Sequence, residues 1–286
     1  MVTALWGLNL TALKSIAFHF HPVVMATERA AIATLFMGVV LCWRCRNGQQ
    51  LNRFTARQWS LVVACAVLMV YTNQILISAG LTKTSATNGS VAVALSPLVS
   101  SLMAALILRE RMDLSRLVGV ALGLGGVLIV VLKTSGAQLG QAGAGDLMVV
   151  ASVVTFAIGG VLIQMLARET DVLQASAVVY ASGTAMLLLH AVAVDAAPDL
   201  AAWVPGFWPV VLMLFSALIA TAFGNLVWNH AIAKMGMARV SLWFYWVPIF
   251  GVGFASLLLD EALSAWHGVG LVAVIAGTAI GTRRPA

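Results

Sequence analysis

Lys14, Glu28 and Arg29 are charged residues set inside long apolar runs, and residues so placed are where this chain would do chemistry. A charge at the centre of a bilayer costs about 2.5–3.5 kcal/mol on insertion scales, so it persists where it has a partner or a task. Three readings are open. Lys14 and Glu28 lie at similar distances from the first outer loop and can meet across a helical hairpin as a structural ion pair. Arg29 or Lys14 can anchor a carboxylate. Glu28, the carboxylate set well inside an apolar run, can couple a proton. Glu28 and Arg29 are sequence neighbours and point in different directions on a helix.

Amides form a second group. Asn73 and Gln74 fall in the outer half of one run, Asn225 and Asn229 near the inner end of another, and Asn9 and Asn88 are placed similarly. An amide at lipid depth needs a partner, so each serves either as glue between helices or as a polar wall of a cavity. Aromatics supply the third group. In SLWFYWVPIF, Trp243 and Trp246 come just before Pro248, with Trp228 at comparable depth and Tyr71 beside the first amide pair. Their faces offer apolar contact or hold a cation, and core packing is the alternative. Trp43, Trp59, Trp203, Trp208 and Trp266 sit where interfacial belt residues do.

Other chemistries are weakly supported. Cys42-x-x-Cys45 has the spacing of half a zinc knuckle, but no second pair follows, and His19 and His21 fall on the opposite side of the membrane. Nothing resembles a phosphate-binding loop, so direct ATP coupling is not expected. No metal or cofactor is implied. The net charge of +6 does not point to nucleic acid, because the basic residues are spread between apolar runs rather than gathered on one arm.

The elements that must position these groups follow from composition. The 286 residues are 61% hydrophobic and 9% charged, with mean hydropathy +0.99, against about 25% charged in soluble domains. This is the signature of a multi-pass membrane protein. The first apolar run begins at Met1 with no basic stretch before it and no small-residue cleavage site after it, so it reads as a span. Counting about 20 apolar residues per crossing gives ten spans: 1–17, 22–43, 58–81, 85–108, 114–132, 146–168, 174–194, 208–232, 238–259 and 265–282. With alternating loops, one side collects Arg44, Arg46, Arg53, Arg57, Arg109, Arg111, Arg116, Arg168, Lys234, Arg239, Arg283 and Arg284, which is 12 of the 16 basic residues. Positive loops stay cytoplasmic, so both termini are expected inside.

The chain also repeats itself. SPLVSSLMAALILRE, from Ser96 to Glu110, returns as VPIFGVGFASLLLDE, from Val247 to Glu261. Pro97 and Pro248, Glu110 and Glu261, Gly119 and Gly270, and Gly126 and Gly277 pair at one constant offset. A five-span unit used twice must enter the membrane from opposite sides, which is the inverted repeat of many carriers. Pro97 and Pro248 fall near the middle of their spans, where proline is expected to kink a helix and act as a hinge. Glu110 and Glu261 close their spans beside the positive end of the next helix and read as structural. Gly119, Gly123, Gly277 and Gly281 allow close helix approach, within the fold or in a homodimer.

These residues resemble the drug/metabolite transporter superfamily, in particular its EamA-type members. The likeness rests on WGLNLTALK from Trp6 to Lys14, on Arg29 in the second span, and on the two P-x12-E segments followed by glycine-containing helices. The second half matches less closely, with Phe156 and Gly160 where the first has Trp6 and Asn9. The resemblance implies a carrier of the bacterial inner membrane, exporting an amino acid or other small metabolite through a cavity lined by spans 1–4 and 6–9. The expected fold is therefore an all-α membrane protein whose ten transmembrane helices form two inverted five-helix repeats, 1–135 and 146–286. Its partners are a small-molecule substrate and the lipid bilayer. An exporter of drugs or organic cations is the alternative; an intramembrane enzyme would need converging catalytic groups that the spans lack.

Overall fold

The computed structural model describes residues 1–17, 19–48, 50–84, 93–109, 113–134, 143–194, 196, 204, 206–259 and 265–281. Among them every regular element is helical, as lipid demands of a chain that must satisfy its backbone polar groups internally. In chain order these are α1 (Val2–Ile16), α2 (Pro22–Arg46), α3 (Ala56–Lys83), α4 (Ser96–Leu108), α5 (Leu114–Thr134), α6 (Ala144–Leu166), α7 (Val172–Ala193), α8 (Phe207–Met235), α9 (Met237–Val240), α10 (Trp246–Leu259) and α11 (Ala265–Gly281). Of these, α2, α3, α6, α7 and α8 are long and apolar enough to cross a membrane, and α4, α5 and α11 contain shorter apolar helices. Asn88, Glu110 and Glu261 lie outside the described residues.

Helix entries follow local chemistry. His21 and Asp171 are the N-caps of α2 and α7, their side chains accepting from Val23 N and Gln174 N. Thr55 and Gln58 form a reciprocal capping box at the start of α3. Ion pairs distant in sequence gather the end of α2 and the start of α3 with the loop between α6 and α7 on one face: Arg44 pairs with Asp171 at 3.5 Å and Arg57 with Glu169 at 3.1 Å.

Four helices are irregular, and the irregularities match across the sequence. A π-helical stretch, Ala66–Thr72, interrupts α3, and another, Phe215–Phe223, interrupts α8. Their last residues are related by the same offset as Pro97 and Pro248. The fourth and ninth apolar runs are also broken. Val93 and Ala94 are helical, Leu95 is a turn, and α4 begins at Ser96. In the other half, α9 passes through a 3-10 turn, Ser241–Tyr245, before α10 begins at Trp246. The prolines thus occupy the first turn of α4 and of α10 rather than mid-helix. Their missing N–H groups are there among the donors a helix start leaves unpaired anyway.

The packing joins the two sequence halves throughout. α1 lies against α8 and α10, and α6 lies against α3 and α4 in the corresponding way. α2 meets α7, where Thr34 Oγ1 and Thr184 Oγ1 share a hydrogen bond of 2.8 Å. α5 and α11 run antiparallel in direct backbone contact. A Cβ at Gly119 would stand 2.7 Å from Gly277 O, and one at Gly126 would stand 2.8 Å from Gly270 O. The small-residue stripes therefore face each other inside the fold.

Gly277→Leu should lower the apparent Tm in detergent by roughly 5–10 °C, since overpacking costs about 1–3 kcal/mol and its Cβ would meet Gly119 O at 2.7 Å. Gly125→Ala, whose added Cβ meets nothing within 4 Å, should be neutral or slightly stabilising. A thermal melt of the two variants side by side checks this packing.

Candidate functional site

One cavity, with about 120 Å³ of accessible space, opens where the irregular helices converge. Its described walls come from α1, α2, α3, the start of α4, α6, α8, the 3-10 turn and α10; none comes from α5, α7 or α11. Much of the lining is paired by the repeat: Gln74 with Asn225, Val93 with Phe244 and Ser96 with Val247 at the offset of the prolines, and Trp6 with Phe156 one residue short of it. Arg29 is the charged side chain among the described lining, and its counterpart positions on α7 do not reach the cavity.

Arg29 is 5% exposed. Its Nη2 donates to Thr221 Oγ1 at 3.1 Å, while Nε and Nη1 have no protein partner. Thr221 belongs to the π-helical stretch of α8, and this stretch organises much of the site. Thr221 O accepts from Asn225 Nδ2 at 2.8 Å, and Ala220 O accepts from Trp6 Nε1 at 2.8 Å. Two amide oxygens face a similar shortage: Asn9 Oδ1 and Gln74 Oε1 are buried without a partner. Asn73 is held in place, its Nδ2 donating to Ser152 O at 2.8 Å. A buried unpaired polar group costs about 1–3 kcal/mol. Four such atoms, on three residues, are gathered in this one cavity.

Part of the wall is aromatic. Trp6 stacks on Phe244 with centroids 5.2 Å apart and 18° between planes, and Phe156 meets both edge-on at 6.3 and 5.7 Å. Trp228, buried, backs this cluster at 4.9 Å from Trp6 and 4.6 Å from Phe244. The site thus combines a cation with two unpaired nitrogens, two unpaired amide oxygens, and an apolar aromatic face.

The remaining sequence candidates lie elsewhere. Lys14 caps the end of α3, its Nζ donating to Leu81 O and Thr84 O, each at 2.8 Å. Among the described residues it forms no ion pair with Glu28, which is half-buried outside the cavity lining with no described partner. Tyr71 turns away from the cavity to His190 Nδ1 at 3.0 Å. Trp246 packs near Phe250. Trp243 stands 44% exposed on the outside of the bundle. Asn229 is held by Ser176 Oγ at 3.0 Å. Several cavity residues were not singled out by their chemistry: Phe156, Ser96, Ser152 and Phe244. The repeat holds the signal for two of them, because Ser96 precedes one doubled proline and Phe156 stands one residue short of the place of Trp6.

Comparison with known proteins gives a consistent setting. The family described as EamA-like transporter family matches residues 1–132 and 143–282. An uncharacterized transporter, YyaM, of Bacillus subtilis is 24% identical over 95% of this chain and 88% of its own length. A probable terminal-alkyne amino-acid exporter of Streptantibioticus cattleyicolor is 27% identical over 82% of this chain and 76% of its own. A crystal structure with 16% identity superposes with a TM-score of 0.79, covering 98% of this chain and 93% of that one, a likeness of fold.

The geometry separates the tryptophans. Trp6→Ala removes the central ring of the aromatic wall and should cut flux in proteoliposomes at least about tenfold, whereas Trp243→Ala should stay within about twofold of the unaltered protein. Equal losses from both would remove the wall from the site.

Proposed function

The chain belongs to the EamA-like transporter family, and from that premise we propose that it is a secondary carrier of a small carboxylate-bearing zwitterion, an amino acid or a close relative. The observation that carries this reading is the set of unpaired buried groups in one cavity. Arg29 Nη2 keeps a second N–H beside the one given to Thr221, and with the unpaired Nη1 or Nε next to it completes one edge of a guanidinium fork, the geometry that takes a carboxylate through two parallel hydrogen bonds. Asn9 Oδ1 and Gln74 Oε1 are acceptors for an ammonium group. The ring cluster of Trp6, Phe156 and Phe244 receives an apolar side chain. A cavity of about 120 Å³ suits a small metabolite and falls below the ~300 Å³ at which drug-sized pockets begin. Positive charge at its wall disfavours an organic cation.

On this reading the chain crosses a bacterial inner membrane ten times, with both termini cytoplasmic. Residues 1–135 and 146–286 are two inverted repeats that alternate access to the cavity. The antiparallel contact of α5 with α11, the paired lining positions and the reciprocal contacts of α1 and α6 support the inversion. Export is the favoured direction, supported by the name of the Streptantibioticus relative. Alternation needs no new contacts at the substrate, because two related halves can exchange the conformations that open the cavity to either side.

Reconstituted protein should exchange labelled neutral amino acids across liposomes. Arg29→Gln should reduce this exchange roughly 10- to 100-fold, the worth of one charge-assisted hydrogen bond of about 1.5–3 kcal/mol. Arg29→Lys should retain part of it. Amino-acid exchange undiminished in Arg29→Gln, or flux of a lipophilic cation with none of amino acids, would overturn the assignment.

A further inference from the structure

A second cavity, of about 440 Å³, lies at the end of the bundle where α5 begins and α6 and α8 finish. Four cations converge on it from separate parts of the chain: Arg116 from the first turn of α5, Arg168 beyond α6, Lys234 in the last turn of α8, and Arg239 in α9. Asp113 is the carboxylate among its described lining residues. Its base is well fixed. Gln164, itself buried, accepts the backbone N–H of Met237 at 2.6 Å through Oε1. This bond holds the turn at Gly236, whose φ of +83° is a left-handed conformation suited to glycine.

Charge on this face is handled differently elsewhere. Arg44 and Arg57 each have a carboxylate partner. Among the described residues, Arg168, Lys234 and Arg239 have none. The ordinary excess of Lys and Arg in loops on one side of a membrane needs no shared concavity, and α8 would accept Lys234 at its C-terminal end for dipole reasons alone. Neither brings cations from α5, α8, α9 and the end of α6 together in one recess. A concavity lined by one sign of charge focuses its field on an ion of the opposite sign.

We propose that this recess binds a phosphate-bearing anion. Several cations suit a multiply oxygenated group better than a single carboxylate, and three of them are arginines, whose planar forks match phosphate oxygens. The recess lies at helix ends, the level at which lipid headgroups stand, and basic pockets between transmembrane helices take such headgroups. A soluble phosphate has the same chemistry. An anion held there ties the α8–α9 turn to α5 and α6, and so to the elements that carry Asn225 and Phe244 into the substrate cavity. The proposal rests on the chain spanning a membrane and not on the nature of the transported molecule.

The test is a thermal-shift titration of purified full-length protein in neutral detergent. One arm adds phosphatidylglycerol against phosphatidylcholine; the other adds inorganic phosphate against chloride at equal ionic strength. Saturable stabilisation by phosphatidylglycerol alone identifies a lipid headgroup site, and saturable stabilisation by phosphate identifies a soluble anion site. In either case the Arg168→Gln/Arg239→Gln double variant should weaken apparent affinity at least about tenfold. The single Lys234→Gln should weaken it less and serves where the double variant fails to fold. Arg44→Gln/Arg57→Gln, which removes equal charge outside the recess, should not weaken it, and Arg29→Gln should leave it intact, which separates this site from the substrate cavity. No saturable response to either anion, or a response undiminished in the recess variants, would overturn the proposal.

Discussion

Inside a bilayer a backbone N–H or C=O has no water to turn to, so an interrupted helix survives there only where protein or a cavity takes up the freed groups. That constraint governs this molecule. Its interruptions are the π-helical stretches of α3 and α8 and the breaks before Pro97 and Pro248. They border one cavity rather than being scattered along the bundle. The stretch in α8 shows how the cost is met: Ala220 O and Thr221 O are taken by Trp6 and Asn225, and the Thr221 hydroxyl by Arg29. The groups that build the site are the groups that make the irregular backbone tolerable.

The walls are nearly a matched set, and the mismatch is informative. Gln74 and Asn225, and Val93 and Phe244, line the cavity from positions equivalent in the repeat. Arg29 has no counterpart in the lining. A symmetric cavity would bind a ligand in two equivalent orientations; a single guanidinium on one wall selects one of them. On the proposed reading, the scaffold supplies two equivalent openings while Arg29 fixes which end of the substrate enters which half. The same residue explains why the aromatic wall is not read as a cation cage, since a cation bound there would share the cavity with an uncompensated positive charge.

Much of this was legible in the residues. The all-helical, multi-pass character follows from hydropathy, and the doubled proline segment marks the two places where helices break. Arg29, Asn9 and Gln74 stand out because polar groups are costly in apolar runs, and all three line the cavity. What sequence could not supply was direction. Lys14 is as costly as Arg29 by any insertion scale, yet it satisfies the carbonyls at the end of α3. Trp243 sits in the same aromatic run as Phe244, but the 3-10 turn directs one outward and the other inward. The prolines were expected to kink their spans near the middle; each stands in the first turn after the break there, where no N–H is needed from it. The π-helical stretches leave no residue signature at all; Ala66–Thr72 and Phe215–Phe223 read as ordinary apolar helix. A helix's rotation about its axis is set by its neighbours, and one chain's sequence does not list them.

The account depends most on the two halves being inserted in opposite senses around the shared cavity. Leu114 and Ala265 begin α5 and α11, are exposed, and occupy equivalent positions in the two halves. With Cys42, Cys45 and Cys65 replaced, Leu114→Cys and Ala265→Cys should react with a membrane-impermeant maleimide from opposite sides of sealed vesicles. Labelling of both from the same side would contradict the inverted arrangement and, with it, access alternating between two equivalent openings.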